Sequence, residues 1–185
     1  MTAPLDEAVV QQVNDLGTTT WSGTVHRYTN AVYDPLSGEG AYRFGGRWNP
    51  RRVFPTIYLA DPLRACVLEF ERAARAAAID PAAMMRRGYV LHAITVTDLP
   101  LLDLRSPEAL ESVGLSLEDI TGEDWSACQA VGHAAWFLEF GGVFAPSATG
   151  EGFVLAAFEG RLQAGHLSVG TSRRLDEDTY RTAIG

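Results

Sequence analysis

The chain has 185 residues, 46% of them hydrophobic, and a formal net charge of −8. That suffices for one domain with a buried core and is cramped for two, and the acidity opposes nonspecific binding to nucleic acid or to an anionic membrane surface. All 15 basic residues are arginine, which excludes mechanisms that need a Schiff-base lysine or a P-loop lysine.

In chain order, Leu5, Val9, Val10, Val13 and Leu16 recur at helical spacing in an N-terminal segment, 1–17, which Gly17 ends. Its acidic residues stand where a secretion signal has basic ones. No apolar run approaches the roughly 18 residues of a membrane span, so a cytoplasmic location is expected. "WSGTVHRYT" (21–29) reads as a strand, and a glycine-rich segment follows as a long loop. "TIYLA" (56–60) reads as a short strand. Asp61-Pro62 then opens a helix, with Asp61 as cap and Pro62 in the first turn. Further on, 89–96 is the clearest strand, "PEALESVG" and "LEDI" are short helical pieces, and 124–140 is a helix ending at Gly141-Gly142. Strands in "GVFAPSA", "GFVLAAFEG" and "HLSVGTSRRL" precede a short terminal helix. Strands and long helices do not alternate regularly, so the pattern predicts a single α+β domain with mixed or antiparallel sheets and flanking helices.

The segment "SGEGAYRFGGRWNP" (37–50) gathers Gly38, Gly40, Gly45 and Gly46 around Arg43, Arg47, Tyr42, Phe44 and Trp48. It lacks the third glycine of a dinucleotide fingerprint and the Gly-Lys of a Walker loop. The four histidines are scattered, and no Cys or His pair has metal-ligand spacing. Two uses remain. The arginine forks and rings line an anionic, ring-bearing ligand against bare backbone, or they are a solvated loop and the edge of the core.

On a helical wheel, Leu63, Cys66, Val67, Phe70 and Ala74 form a core stripe, and Arg64, Glu71, Arg72 and Arg75 face solvent. Glu69 falls on the flank beside Ala65, Ala73 and Ala76, where a ligand has room to approach. Cys66 and Cys128 sit in apolar helical patterns and read as buried free thiols. Ser126, followed three residues later by Gln129, has the form of a capping box, and a helix N-terminus also suits an anion. Ser147, in "APSATG", is a second hydroxyl, in a turn between strands.

In order, "HRYT", "GEGAYRFGGRWNP", "TIYLAD", "LEFERA" and "DWSACQAVGHAAWFLE" resemble the RES-domain family, the toxin halves of RES–Xre toxin–antitoxin pairs, from about residue 20 to residue 160. The resemblance implies one RES domain over 1–185, with a fold similar to ADP-ribosyltransferase toxins of the diphtheria type. It implies attack on NAD at the nicotinamide–ribose bond. The actinobacterial branch, which "DWSACQAVGHAAWFL" resembles, implies inorganic phosphate as acceptor, giving ADP-ribose 1″-phosphate and nicotinamide. Transfer to a protein, or to water as an NAD glycohydrolase, is the alternative for the same site. By motif, catalytic roles fall on Arg27, Tyr28, Tyr58 and Glu69, and substrate binding on Gly46, Arg47, Trp48 and Ser126. Whether Ser126 or Ser147 is the family serine stays open. Arg27 and Arg47 are expected to hold phosphate groups, Glu69 to stabilise an oxocarbenium-like ribose, and the tyrosines to stack on nicotinamide or fix the ribose. No metal and no cofactor are implied beyond NAD as substrate and phosphate as co-substrate. The resemblance implies a cognate Xre-type antitoxin as partner, and it allows a homodimer within a larger toxin–antitoxin complex.

Overall fold

The computed structural model describes residues 5–185; the first four residues of the 1–17 segment lie outside them. The helices are α1 (Glu7–Leu16), α2 (Glu39–Phe44), α3 (Leu63–Ala76), α4 (Pro81–Met85), α5 (Pro107–Ser112), α6 (Leu117–Thr121), α7 (Ser126–Phe137) and α8 (Glu177–Ile184). The strands are β1 (Thr19–Asn30), β2 (Thr56–Asp61), β3 (Tyr89–Asp103), β4 (Gly142–Pro146), β5 (Phe153–Phe158) and β6 (Leu167–Arg174). The α+β class and flanking helices are as expected. Among the described residues no helix is long and apolar enough to cross a membrane.

The strands run in the order β1-β2-β5-β4-β3-β6, and β1 also pairs with β3, so five of them close into a ring. The length of β3 makes this possible. One of its edges bonds β1 from Thr19–Leu101 to Asn30–Tyr89. The other bonds β6 in its first half and β4 at Leu102 and Asp103. Only β3–β4 is parallel. Alternate residues point inward, and Val25, Ile57, Leu59, Ile94, Val96, Phe144 and Leu155 fill the ring. A second core joins the outer face to α7 and α1 through Val13, Trp48, Phe54, Val131 and Phe158. A third seats α3, α4 and α8 through Phe70, Ala74, Met85 and Leu175. Between β1 and β2 the only paired residues are His26 and Ala60. The strands part on either side of that contact.

Several local expectations are corrected. The glycine-rich segment is not all loop: six residues coil as α2 between Gly38 and Gly45, whose φ of 79° ends the helix. Asp61 is the last residue of β2 and does not cap α3; Pro62 takes the cap position without a side-chain bond. α4 has no counterpart in the sequence reading. Glu71 is mostly buried, not solvent-facing.

Gly132 sets how closely α7 approaches the glycine-rich segment, because a Cβ there would run into the Trp48 carbonyl oxygen. Gly132→Ala is expected to lower stability by about 1–3 kcal/mol through overpacking. A fall in the urea midpoint with unchanged m value would register it.

Candidate active site

An open cleft of about 400 Å³ lies where β1 and β2 part, roofed by α3 and the glycine-rich segment. It is lined by Arg27, Tyr28, Gly46, Arg47, Trp48, Tyr58 and Glu69, so the structure brings together seven of the eight residues proposed from motif. Ser126 is the exception.

Arg27 reaches from β1 to the turn before α2, where Nη1 donates to the Pro35 carbonyl (2.6 Å) and Nη2 to that of Ser37 (2.9 Å). The same turn is pinned by the Gly38 N–H donating to Glu159 Oε2 at 2.7 Å. Burial pulls the Arg27 pKa below its ordinary value, with Asp34 and Glu159 opposing the shift. Arg47, 9% exposed, donates to the carbonyls of Asp119 (2.8 Å) and Gly122 (2.9 Å), with its guanidinium 5.6 Å from the Trp125 ring. Neither arginine has a carboxylate within ion-pair distance among the described residues. Their charge is oriented by backbone and left to act on the cleft. His92, opposite Arg27 on β3, bonds Thr29 and Ser172 through its two ring nitrogens. Burial, then Arg27, push its pKa down. It is therefore neutral at pH 7 and adds no charge against the guanidinium.

The rest of the glycine-rich segment is scaffold. The Trp48 N–H donates to the Tyr58 hydroxyl (2.8 Å), which donates onward to Asn49 Oδ1 (2.8 Å). Buried Asn49 donates to the Ala41 carbonyl. The missing Cβ of Gly46 makes room for the Tyr58 ring, and Gln129 Nε2 donates to the Gly46 carbonyl at 2.9 Å. Tyr58 thus has its hydroxyl committed, and burial raises its pKa. It is placed to offer ring surface, not a proton. Trp48, 1% exposed, belongs to the core and also borders the cleft. Phe44 is exposed, and Arg43 pairs with Glu39 on the surface. Neither these two nor Tyr42 lines the cleft. The rings that do are His26, Tyr28, Trp48, Tyr58 and Trp125, and of these only Trp48 belongs to the segment.

Glu69 projects from α3 beside Cys66 and Arg72, which share its cleft-facing side one turn away. Its Oε1 accepts a 2.7 Å hydrogen bond from the Ser147 hydroxyl. Ser147, 2% exposed, is held by Thr149, whose Oγ1 lies 2.7 Å and whose N–H lies 3.1 Å from Ser147 Oγ. The other carboxylate oxygen lies 3.7 Å from Arg72 Nη1. Arg72 is exposed, as the wheel has it, and its exposed side borders the open cleft. Tyr28 packs edge-on against Phe70 and Tyr89, and its hydroxyl makes no hydrogen bond among the described residues. Cys66 is a buried free thiol, pushed up to about 12 by burial, and is no nucleophile.

Ser126 is exposed and forms no capping box. Trp125 occupies the cap position, the Ser126 N–H donates to Asp124, and Gln129 is engaged with Gly46. Of the two candidate serines, Ser147 is the one bonded to Glu69. Sequence reasoning missed Trp125 and Arg72. The signal for Trp125 lay in "DWS", one residue from where it was sought.

A model of the RES domain matches residues 23–177. The protein named NAD(+) phosphorylase MbcT is 53% identical over 181 residues, covering 98% of this chain and 97% of its own, in both Mycobacterium tuberculosis and Mycobacterium bovis. A chain in the crystal structure of the M. tuberculosis MbcT–MbcA toxin–antitoxin complex superposes with a TM-score of 0.92 at 52% identity, covering 98% of this chain and 99% of that one. With the family model spanning most of the sequence and its motifs meeting in one cleft, the chain belongs to the RES-domain family.

Proposed function

We propose that this chain is an NAD phosphorylase and the toxin component of a toxin–antitoxin pair. One observation carries the chemistry: a serine-anchored carboxylate, Glu69, shares a cleft with two arginines that form no ion pair among the described residues. The family and the name and coverage of the relatives support it. Arg27 and Arg47 hold the anionic groups of NAD, their orientation fixed before substrate arrives. Nicotinamide leaves NAD⁺ as a neutral base, so no general acid is needed. Positive charge builds on the ribose as the C–N bond stretches, and Glu69 stabilises it. Ser147 donates to Glu69 Oε1, fixing the direction of the carboxylate. Tyr28 and the face of Tyr58 flank the nicotinamide riboside, and the free Tyr28 hydroxyl meets a ribose or amide group. One oxygen of hydrogen phosphate bonds to C1″ as the C–N electron pair departs, giving ADP-ribose 1″-phosphate and nicotinamide.

The partner is a cognate Xre-type antitoxin, and the location where NAD and phosphate abound is the cytoplasm. We propose that the fold is similar to that of ADP-ribosyltransferase toxins; the cleft carboxylate between the parting strands β1 and β2 supports that reading. Mass spectrometry of the purified chain with NAD tests the reading. ADP-ribose 1″-phosphate, formed only when phosphate is added, is expected. Labelled protein bands, or plain ADP-ribose at an undiminished rate without phosphate, would replace the phosphorylase with a protein ADP-ribosyltransferase or a glycohydrolase.

A further inference from the structure

We infer that Arg72 binds the acceptor phosphate and thereby selects phosphate over water; this rests on the phosphorolysis proposed above. Arg27 and Arg47 each have both terminal nitrogens engaged by backbone carbonyls. Their orientation is fixed, and the donors they have left are those assigned above to NAD. Arg72 lines the same cleft with a side chain 43% exposed. Its nearest acidic contact, Glu69 Oε2 at 3.7 Å, is beyond hydrogen-bonding distance, and it makes no hydrogen bond among the described residues. Of the cleft arginines, it is the one whose donors are uncommitted.

Its place beside Glu69 supplies the rest. Phosphorolysis brings an anion to the carbon that Glu69 already faces, and two anions at one carbon repel. Oε1 of Glu69 is turned to Ser147, and Oε2 faces Arg72. A guanidinium there spans carboxylate and phosphate and presents a planar fork to the incoming oxygens. Water carries no charge and needs no such bridge. In the step itself, one phosphate oxygen forms the bond to C1″, the C–N pair leaves with nicotinamide, and the proton of hydrogen phosphate stays on the phosphate. Arg72 transfers nothing.

The test uses the full chain with inorganic phosphate as the titrant at saturating NAD. Arg72→Ala is expected to raise the KM for phosphate roughly tenfold to a hundredfold, the loss of a charge-assisted contact. The KM for NAD should shift by less than about threefold, and the share of ADP-ribose among products should rise. Arg72→Lys should recover part of the phosphate affinity, because it restores the charge without the fork. An ordinary surface i,i+3 pair would move neither constant. A phosphate-dependent parent with an unchanged KM for phosphate in Arg72→Ala overturns the inference and leaves the phosphorylase standing. So does a joint rise of both KM values. A parent that ignores phosphate overturns the phosphorylase and this inference together.

Discussion

Glu69→Gln is expected to fold as the parent does and to lose on the order of 10²–10³ in kcat. The amide keeps the shape of the side chain and still offers Ser147 an acceptor, so the bond from β4's trailing turn to α3 survives. What disappears is the negative charge facing the ribose when its own charge develops. Glu69 is only 22% exposed at its side chain, so little water stands between the carboxylate and that charge, and the loss falls on the transition state. Nicotinamide release under single-turnover conditions measures it, with thermal unfolding as the control for folding. Ser147→Ala should fall between the two: the carboxylate stays but swings freely. A Glu69→Gln enzyme within threefold of the parent would remove Glu69 from the chemistry.

The second large effect is expected from Arg47→Ala, on stability as much as on turnover. Its guanidinium joins the glycine-rich segment to the end of α6, donating to two carbonyls near that terminus. Removing a buried cation that satisfies two acceptors should cost about 2–4 kcal/mol. The α6–α7 link carries Trp125, which the guanidinium faces, so the cleft wall loosens with it. The apparent affinity for NAD should fall at least tenfold. Arg47→Lys should not restore stability, since an ammonium is a point donor and the two carbonyls need a fork. Urea unfolding combined with NAD titration checks both arms. An Arg47→Ala protein with parental stability and parental KM would show that the carbonyl contacts do no work.

Patterns confined to one element were legible in the sequence. The wheel put Cys66, Val67, Phe70 and Ala74 in the core and Glu69 on the flank, because amphipathicity records which side of a helix is buried. It put Arg72 on the exposed side but gave no hint that this side borders the cleft, because a wheel does not say what stands opposite. The same limit explains Ser126 and Gln129. Their letters fit a capping box, but Asp124 and the Gly46 carbonyl compete for them and win. The glycines argued against a helix at 39–44, yet α2 forms because Asn49 ties Ala41 and Gly45 supplies the positive φ that ends it. α4 is too short to show a period. Ring closure through β1 and β3 joins segments far apart in the chain, and no local pattern names such partners. The motif resemblance did better on the cleft than spacing did. It named Arg27, Arg47 and Glu69 together, whereas their separate chemistries gave no reason for them to meet.

The carbonyl cradles of Arg27 and Arg47 bear on how this protein is lost as well as how it works. The bonds that aim each positive charge at the cleft also tie distant loops together. For the toxin proposed above, a cell escaping by random mutation therefore has few ways to silence it cleanly. Substitutions at either arginine would leave a destabilised polypeptide, and soluble, inert forms would cluster at positions such as Glu69, where chemistry and architecture come apart.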